Sequence, residues 1–260
     1  MRTTALISLA CFLLISMTAC ARNTSSVTDN HRYKTKEVQI TDRFSALTLN
    51  GSPDVYYTQT SGKVSVEIYA ASNIIPYIET FVKDGTLIVQ IKRGSNLRNT
   101  GKIEVRVSAP ELSAMTVNGS GDIYVEKGIS TENNLNFKVQ GSGDIKARKI
   151  KCNRLNAYVH GSGDIKLSEV SSHSAEVKVH GSGDIFIKGT TRDAHYQVHG
   201  SGDIHAQDMK ANNVDARVSG SGDIRCFATD QLTGRVSGSG DVGYKGNPEI
   251  NFSKKGLYRL

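Results

Sequence analysis

Val117-Asn118-Gly119-Ser120-Gly121-Asp122-Ile123 decides how this chain folds, because it recurs. Gly-Ser-Gly-Asp begins again at Gly141, Gly161, Gly181, Gly200, Gly220 and Gly238, which makes seven copies at steps of 18 to 22 residues. Each copy is followed by Ile, or in the last by Val242, and two residues before its first Gly stands Val. A repeat of about twenty residues in a β-rich sequence is the mark of stacked coils, each burying its apolar face on its neighbours.

Outward from each corner, apolar residues alternate with polar ones. Four residues before the first Gly come Met115, Phe137, Ala157 and Val177, and six after it come Val125, Ala147, Leu167, Ile187 and Cys226. The opposite parity carries Lys138, Lys178 and Arg217 before the corner and Lys146, Lys166 and Arg225 after it. A period of two inside a period of twenty predicts two short strands per coil joined at a glycine corner. The fold class is therefore all-β, a parallel β-solenoid over residues 113–246, and the crossover rule favours a right-handed path.

Residues 36–112 read as a β-rich N-terminal head. Val64, Val66 and Ile68 alternate with polar neighbours, and Asp84-Gly85 between two β-rich runs signals a hairpin. Pro76 sits in a segment that fits one helical turn or a crossing loop. Leu49-Asn50-Gly51-Ser52-Pro53-Asp54-Val55 repeats the corner in degenerate form, so the head reads as a specialised start of the same stack. The tail, 247–260, breaks the repeat and reads as a cap over an open edge.

Residues 1–20 read as a signal peptide. Arg2 precedes an apolar run from Ala5 to Ile15, too short for a comfortable membrane span, and Ser16-Met17-Thr18-Ala19-Cys20 fits a lipobox in which Cys20 is acylated. Ordinary signal cleavage at Ala19-Cys20-Ala21 is the rival reading, and both export the protein. Residues 21–35, polar and aperiodic, read as a flexible tether. Of the other three cysteines, Cys11 leaves with the signal segment, and Cys152 and Cys226 lie four coils apart at about 4.8 Å per coil, beyond the reach of a disulfide. They read as buried apolar groups.

The formal net charge of +7 is dispersed, with 22% charged residues and no long run of one sign. That pattern suits solubility better than nucleic-acid binding, and no nucleic-acid motif accompanies it. No phosphate loop, nucleophile elbow or Cys-x-x-Cys pair is present, so neither a cofactor nor a catalytic residue is expected.

Two constellations remain as weak metal candidates. The corner aspartates, Asp144, Asp164 and Asp184 among them, form a ladder of like charges that needs compensation. Calcium could supply it, as in glycine-rich β-rolls, but only one edge carries the motif and the shell would be incomplete. The simpler expectation is that each carboxylate accepts backbone N–H groups at its own corner. Neighbouring acids about 5 Å apart also match a retaining glycosidase pair, but equivalent environments give no acid–base asymmetry. His160, His180 and His199, each one residue before a corner, should stack into a column that continues as ordinary polar residues.

Phe44-Ser45-Ala46-Leu47, Val82-Lys83-Asp84-Gly85-Thr86-Leu87, Ala109-Pro110-Glu111-Leu112 and the corner series ending at Tyr244-Lys245-Gly246-Asn247-Pro248 carry a family resemblance. The chain resembles the bacterial "putative auto-transporter adhesin" family with the head GIN domain, from about residue 38 to 250. The resemblance implies an exported, often lipid-anchored β-solenoid, with no catalytic residues to transfer. It departs after Pro248, where another glycine corner would be expected. The resulting expectation is a non-enzymatic lipoprotein of the cell envelope, anchored in the outer membrane through Cys20, that binds a glycan or an envelope or host protein. The other readings are a periplasmic structural or stress-related lipoprotein, and a polysaccharide-acting β-helix enzyme.

Overall fold

The computed structural model describes residues 26–253 and 255–260. Residues 1–20, expected to be a signal peptide ending at Cys20, lie outside the described residues.

The burial pattern of one coil shows how the chain turns. In the coil that follows the Gly141 corner, Ile145, Ala147, Ile150, Cys152, Leu155, Ala157 and Val159 point inward. Alternation holds within each group but slips twice, at the exposed pairs Arg148-Lys149 and Asn153-Arg154. Two successive outward residues bend a strand, so each coil has three inward-facing segments, one more than the sequence pattern predicts. Lys149 and Glu169 make the first bend with φ of 53° and 55°.

The head supplies β1 (Tyr33–Val38), β2 (Ala46–Gly51), β3 (Asp54–Gln59), β4 (Ser65–Ala71), β5 (Ile78–Lys83), β6 (Thr86–Ile91) and β7 (Glu104–Ala109). A 3-10 turn at Ile75–Tyr77 occupies the Pro76 segment, and Asp84-Gly85 closes the β5–β6 hairpin. The first coil is split into β8 (Ala114–Gly119), β9 (Ile123–Val125), β10 (Ile129–Ser130) and β11 (Asn134–Gly141). Longer strands that run through the bends follow: β12 (Ile145–Gly161), β13 (Ile165–Gly181), β14 (Ile185–Gly200), β15 (Ile204–Val218) and β16 (Ile224–Val236). The stack ends with β17 (Val242–Lys245), β18 (Glu249–Phe252) and β19 (Leu257–Arg259).

Head and repeats share one continuous sheet. β2 pairs in parallel with β8, and β3 with β9, so Gly51 lies in register with Gly119. Antiparallel strands close the N-terminal end, with β5 outside β6 on one face and β1 outside β4 and β7 on the other. From there the parallel register holds coil to coil: Val139, Val159, Val179, Val198, Val218 form one ladder and Ile123, Ile145, Ile165, Ile185, Ile204, Ile224 another. All of these are at most 1% exposed, which makes the ladders the core. Changes in coil length are absorbed away from the corners. The register shifts fall between Leu167 and Val170, Phe186 and Lys188, His205 and Lys210, and Ala211 and Asn213.

The corners explain their glycines. Gly141 has φ of +147°, a conformation that costs L-residues strain. Gly143 has no such need, but a Cβ there would collide with the Gly121 carbonyl and lie 2.9 Å from its carbon. Close stacking of one corner on the next admits hydrogen alone. Pro53 stands at the same position in the degenerate corner. Below it the chain leaves the stack as the long 92–103 connection, and Gly51 meets side-chain carbon at 3.8 Å where later corners meet backbone.

Two expectations need correction. Residues 26–35 are tied down: Val27 bridges Leu97, its N–H donates to the Asn96 carbonyl at 2.9 Å, and Tyr33 opens β1. The tail continues the stack, since β18 pairs with β16 and β19 with β17, both in parallel. Its corner is shorter, with four residues between Phe252 and Leu257 where seven lie between their partners Gly234 and Val242. The Lys255 ammonium reaches the Gly238 carbonyl at 3.4 Å, an acceptor that lower corners fill with backbone N–H groups.

Candidate functional site

Each corner accounts for its own polar groups. The N–H groups of Ser142 and Gly143 both donate to the Gly119 carbonyl at 2.9 Å, and the Ile145 N–H donates to the Asp164 carbonyl at 2.9 Å. The Asp144 N–H remains, and it donates to Oδ1 of Asp122 at 2.8 Å. The same rung recurs from Asp54 to Asp241, linking Asp144 to Asp164, Asp164 to Asp184 and Asp184 to Asp203. The carboxylates of all but the last of these acids, Asp241, therefore serve the next coil, which corrects the expectation that each serves its own corner. One oxygen of each acts as a surrogate carbonyl in the ladder.

The second oxygen meets cations in the early coils. The Lys146 ammonium lies 3.1 Å from Oδ2 of both Asp122 and Asp144, and Lys166 lies 2.9 Å from Asp164. Burial works against the Asp122 carboxylate, but the Asp144 N–H, the Tyr124 hydroxyl and Lys146 outweigh it and lower its pKa. Burial likewise opposes the Lys146 ammonium, and its bonds to both aspartates raise its pKa nonetheless. The pKa of Asp54 moves the opposite way from that of Asp122, raised chiefly by burial, with Asp122 and Glu104 adding repulsion. Phe186 stands in the Lys column beside Asp184, which keeps its backbone donor.

On the face after the corner, one outward column runs Tyr56, Tyr124, Lys146, Lys166, Phe186, His205. Tyr56 and Tyr124 stack at 4.9 Å, Phe186 and His205 at 4.4 Å, and Lys146 and Lys166 sit over the Tyr124 and Phe186 rings. Burial first, and the Asp122 carboxylate second, push the Tyr124 phenol up to about 12. Two grooves lie along this face. One of about 390 Å³ is lined by Tyr56, Glu67, Glu104, Arg106 and Glu126, with the buried Glu104 held by Lys102 at 2.6 Å and Arg106 at 3.0 Å. The other, about 550 Å³, is lined by Tyr124, Glu126, Lys146, Ala147, Arg148 and Lys166. Glu126 borders both.

On the face before the corner the histidine column forms as expected, with ring centroids 6.2 Å apart for His160 and His180 and 5.0 Å for His180 and His199. Partial burial, then the two neighbouring imidazoles and Lys178, lower the pKa of His180. No group of three His, Cys, Asp or Glu among the described residues is placed to hold a metal ion. Tyr158 lies outward beneath Lys178, and Tyr196 is buried in the core. Cys152 and Cys226 are both buried and free.

The Asp-to-Asp rung, the lysine clamps and the grooves were not read from the sequence. Lys146 and Lys166 stand two residues after Asp144 and Asp164, a spacing that places both side chains on one strand face and could have paired them.

With this geometry in place the comparisons are informative. The family described as "Putative auto-transporter adhesin, head GIN domain" matches residues 43–248. The chain belongs to this family. Among solved structures, a "putative lipid binding protein" from Parabacteroides distasonis is 27% identical with a TM-score of 0.84, over 91% of this chain and 100% of that one. A "putative adhesin" from Bacteroides fragilis is 29% identical, TM-score 0.70, over 90% and 100%. A second P. distasonis protein, a "putative adhesin", shares the fold at 24% identity and TM-score 0.83, over 91% and 98%. No curated protein matches the chain. Among the described residues of this head GIN chain, no helix is long and apolar enough to cross a membrane.

Proposed function

We propose that the chain is a non-enzymatic binding protein of the cell envelope, exported by residues 1–20 and anchored through Cys20, that offers its solenoid faces to an acidic glycan or to an envelope or host protein. The observation that carries this reading is the disposition of charge. The repeated acids spend one oxygen on the next coil, and Asp122, Asp144 and Asp164 meet lysine clamps, while Arg148, 3.8 Å from Glu169, and Lys166, 2.9 Å from Asp164, still keep side chains 55% and 44% exposed beside the second groove. A groove of that size suits one or two sugar rings. Aromatic stacking on sugars contributes less here, because Tyr56–Tyr124 and Phe186–His205 already turn ring faces toward each other, at interplanar angles of 14° and 10°. The adhesin and lipid-binding names of similar structures support a binding role without fixing its target.

The test is protease shaving of intact cells, with Cys20→Ala as the release control, followed by glycan binding of the released protein. Cleavage from whole cells, with binding to acidic glycans weakened by Arg148→Ala and Lys166→Ala together, supports the reading. Protection until cells are lysed would replace surface adhesion with a periplasmic role.

A further inference from the structure

We infer that the N-terminal end of the stack is a basic end face that docks on an anionic lipid surface, standing the solenoid upright with its C-terminal coil distal. This rests on the reading of Cys20 as the lipid anchor.

Chain length sets the geometry. Five residues lie between Cys20 and Ser26, the first described residue, and the six steps from Cα to Cα span about 20 Å at most when extended. Val27 is bound to the 92–103 connection, which lies below the first glycine corner at the N-terminal end. The sheet that runs from β1 to β19 is twelve strands deep, about 50 Å at the usual strand spacing. An acyl chain on Cys20 can therefore hold only this end near a bilayer.

That end is basic. Arg32, Lys34 and Lys36 are exposed on and beside β1, and Lys92, Arg93 and Arg98 are exposed on the 92–103 connection. The two segments meet: the Arg98 N–H donates to the Val27 carbonyl at 3.0 Å, the Asp29 N–H to the Asn99 carbonyl at 3.2 Å, and the Lys102 N–H to the Tyr33 hydroxyl at 3.2 Å. Among the described residues, none of the six cations forms an ion pair; cations such as Lys146, Lys166, Lys178 and Arg217 in the coils do, and others such as Lys138 and Arg225 do not, so what sets this end apart is six unpaired cations on two segments that touch.

Lysines on an edge strand also block edge-to-edge aggregation, which alone would explain Lys34 and Lys36. It does not explain Lys92, Arg93 and Arg98, which lie outside any strand. Unpaired cations facing a short tether match a surface of phosphate head groups, where each basic residue strengthens binding about fivefold.

The experiment uses the mature chain from Cys20 with a maleimide lipid coupled at that residue, since Cys152 and Cys226 are buried. Amide hydrogen exchange is then compared on phosphatidylglycerol and phosphatidylcholine bilayers. The expected result is severalfold slower exchange in 30–38 and 92–98 on the anionic bilayer alone, abolished by high salt and by Arg32→Glu, Lys34→Glu and Lys36→Glu together. Equal exchange on the two bilayers, or protection spread along the solenoid faces, overturns the proposal. So does equal protection by soluble polygalacturonate, which would assign the patch to a glycan. Because the lipid is attached chemically, the result is independent of native acylation, which the mass of Cys20 in protein from cells reports separately.

Discussion

The amide N–H of Asp164 donates to Oδ1 of Asp144 at 2.9 Å, across the gap between two coils. This rung gives the corner acid a reason to exist: the Asp N–H needs an acceptor, and the side chain below supplies it. Its cost is a column of like charges, which Lys146 and Lys166 reduce where they stand.

The corners should tolerate no side chain at their second glycine. Gly143→Ala pushes a Cβ into the Gly121 carbonyl and should destabilise by about 3 kcal/mol or more. Gly85→Ala, where φ is +70° but nothing lies within 4 Å, should cost about 1 kcal/mol. Urea unfolding of the two variants measures the difference, and equal losses would contradict close stacking as the cause.

The last coil should protect the stack. Removing residues 249–260 exposes the edges of β16 and β17 and uncovers Gly234, over which the Phe252 ring packs. Open parallel edges recruit further strands, so the truncated protein should aggregate at concentrations where the full chain stays dispersed. Light scattering decides.

Acidification should weaken the histidine face before it reaches the carboxylates. The pKa of His180 is lowered from 6.5 in the folded chain, so the unfolded chain takes up the proton first as pH falls. Stability present above pH 6.5 is then lost below it, and the melting temperature should fall between pH 7.5 and 5.5. Replacing His160 and His199 by Gln removes the neighbouring charges and should reduce that fall. Asp122, with its pKa lowered from 3.8, adds a further loss only as pH drops below that value.

Neither cysteine of the solenoid should react in the native state. Burial pushes the Cys152 thiol up to about 11 and the Cys226 thiol up to about 12, leaving almost no thiolate at pH 8. A maleimide count on the Cys20→Ala chain lacking residues 1–19, and with them Cys11, should be zero before denaturation and two after it.

The fold was legible in the sequence because physical necessity repeats at each corner. Only glycine fits where corners approach, and the flanking Val and Ile must point inward in every coil. The third inward segment was hidden, since Ile150, Val170, Gly189 and Met209 occupy one ladder with no common chemistry, and coil length changes beside it. The Asp rungs were hidden for another reason. A carboxylate that caps its own corner and one that caps the next are written with the same residues. The continuation of the stack through β18 and β19 was masked by a corner that had lost three residues and its glycine motif.

Melting temperature with and without millimolar calcium, for the native chain and for Asp164→Asn and Asp164→Ala, tests most directly whether the corner acids build the stack. Asn keeps an oxygen for the Asp184 N–H, so Asp164→Asn should change stability by less than about 1 kcal/mol. Asp164→Ala leaves that N–H without its acceptor and should cost about 1–3 kcal/mol, with no response to calcium in any of the three proteins. A rise of several degrees with calcium in the native chain, lost in both variants, would show that the ladder is a cation site and contradict the account.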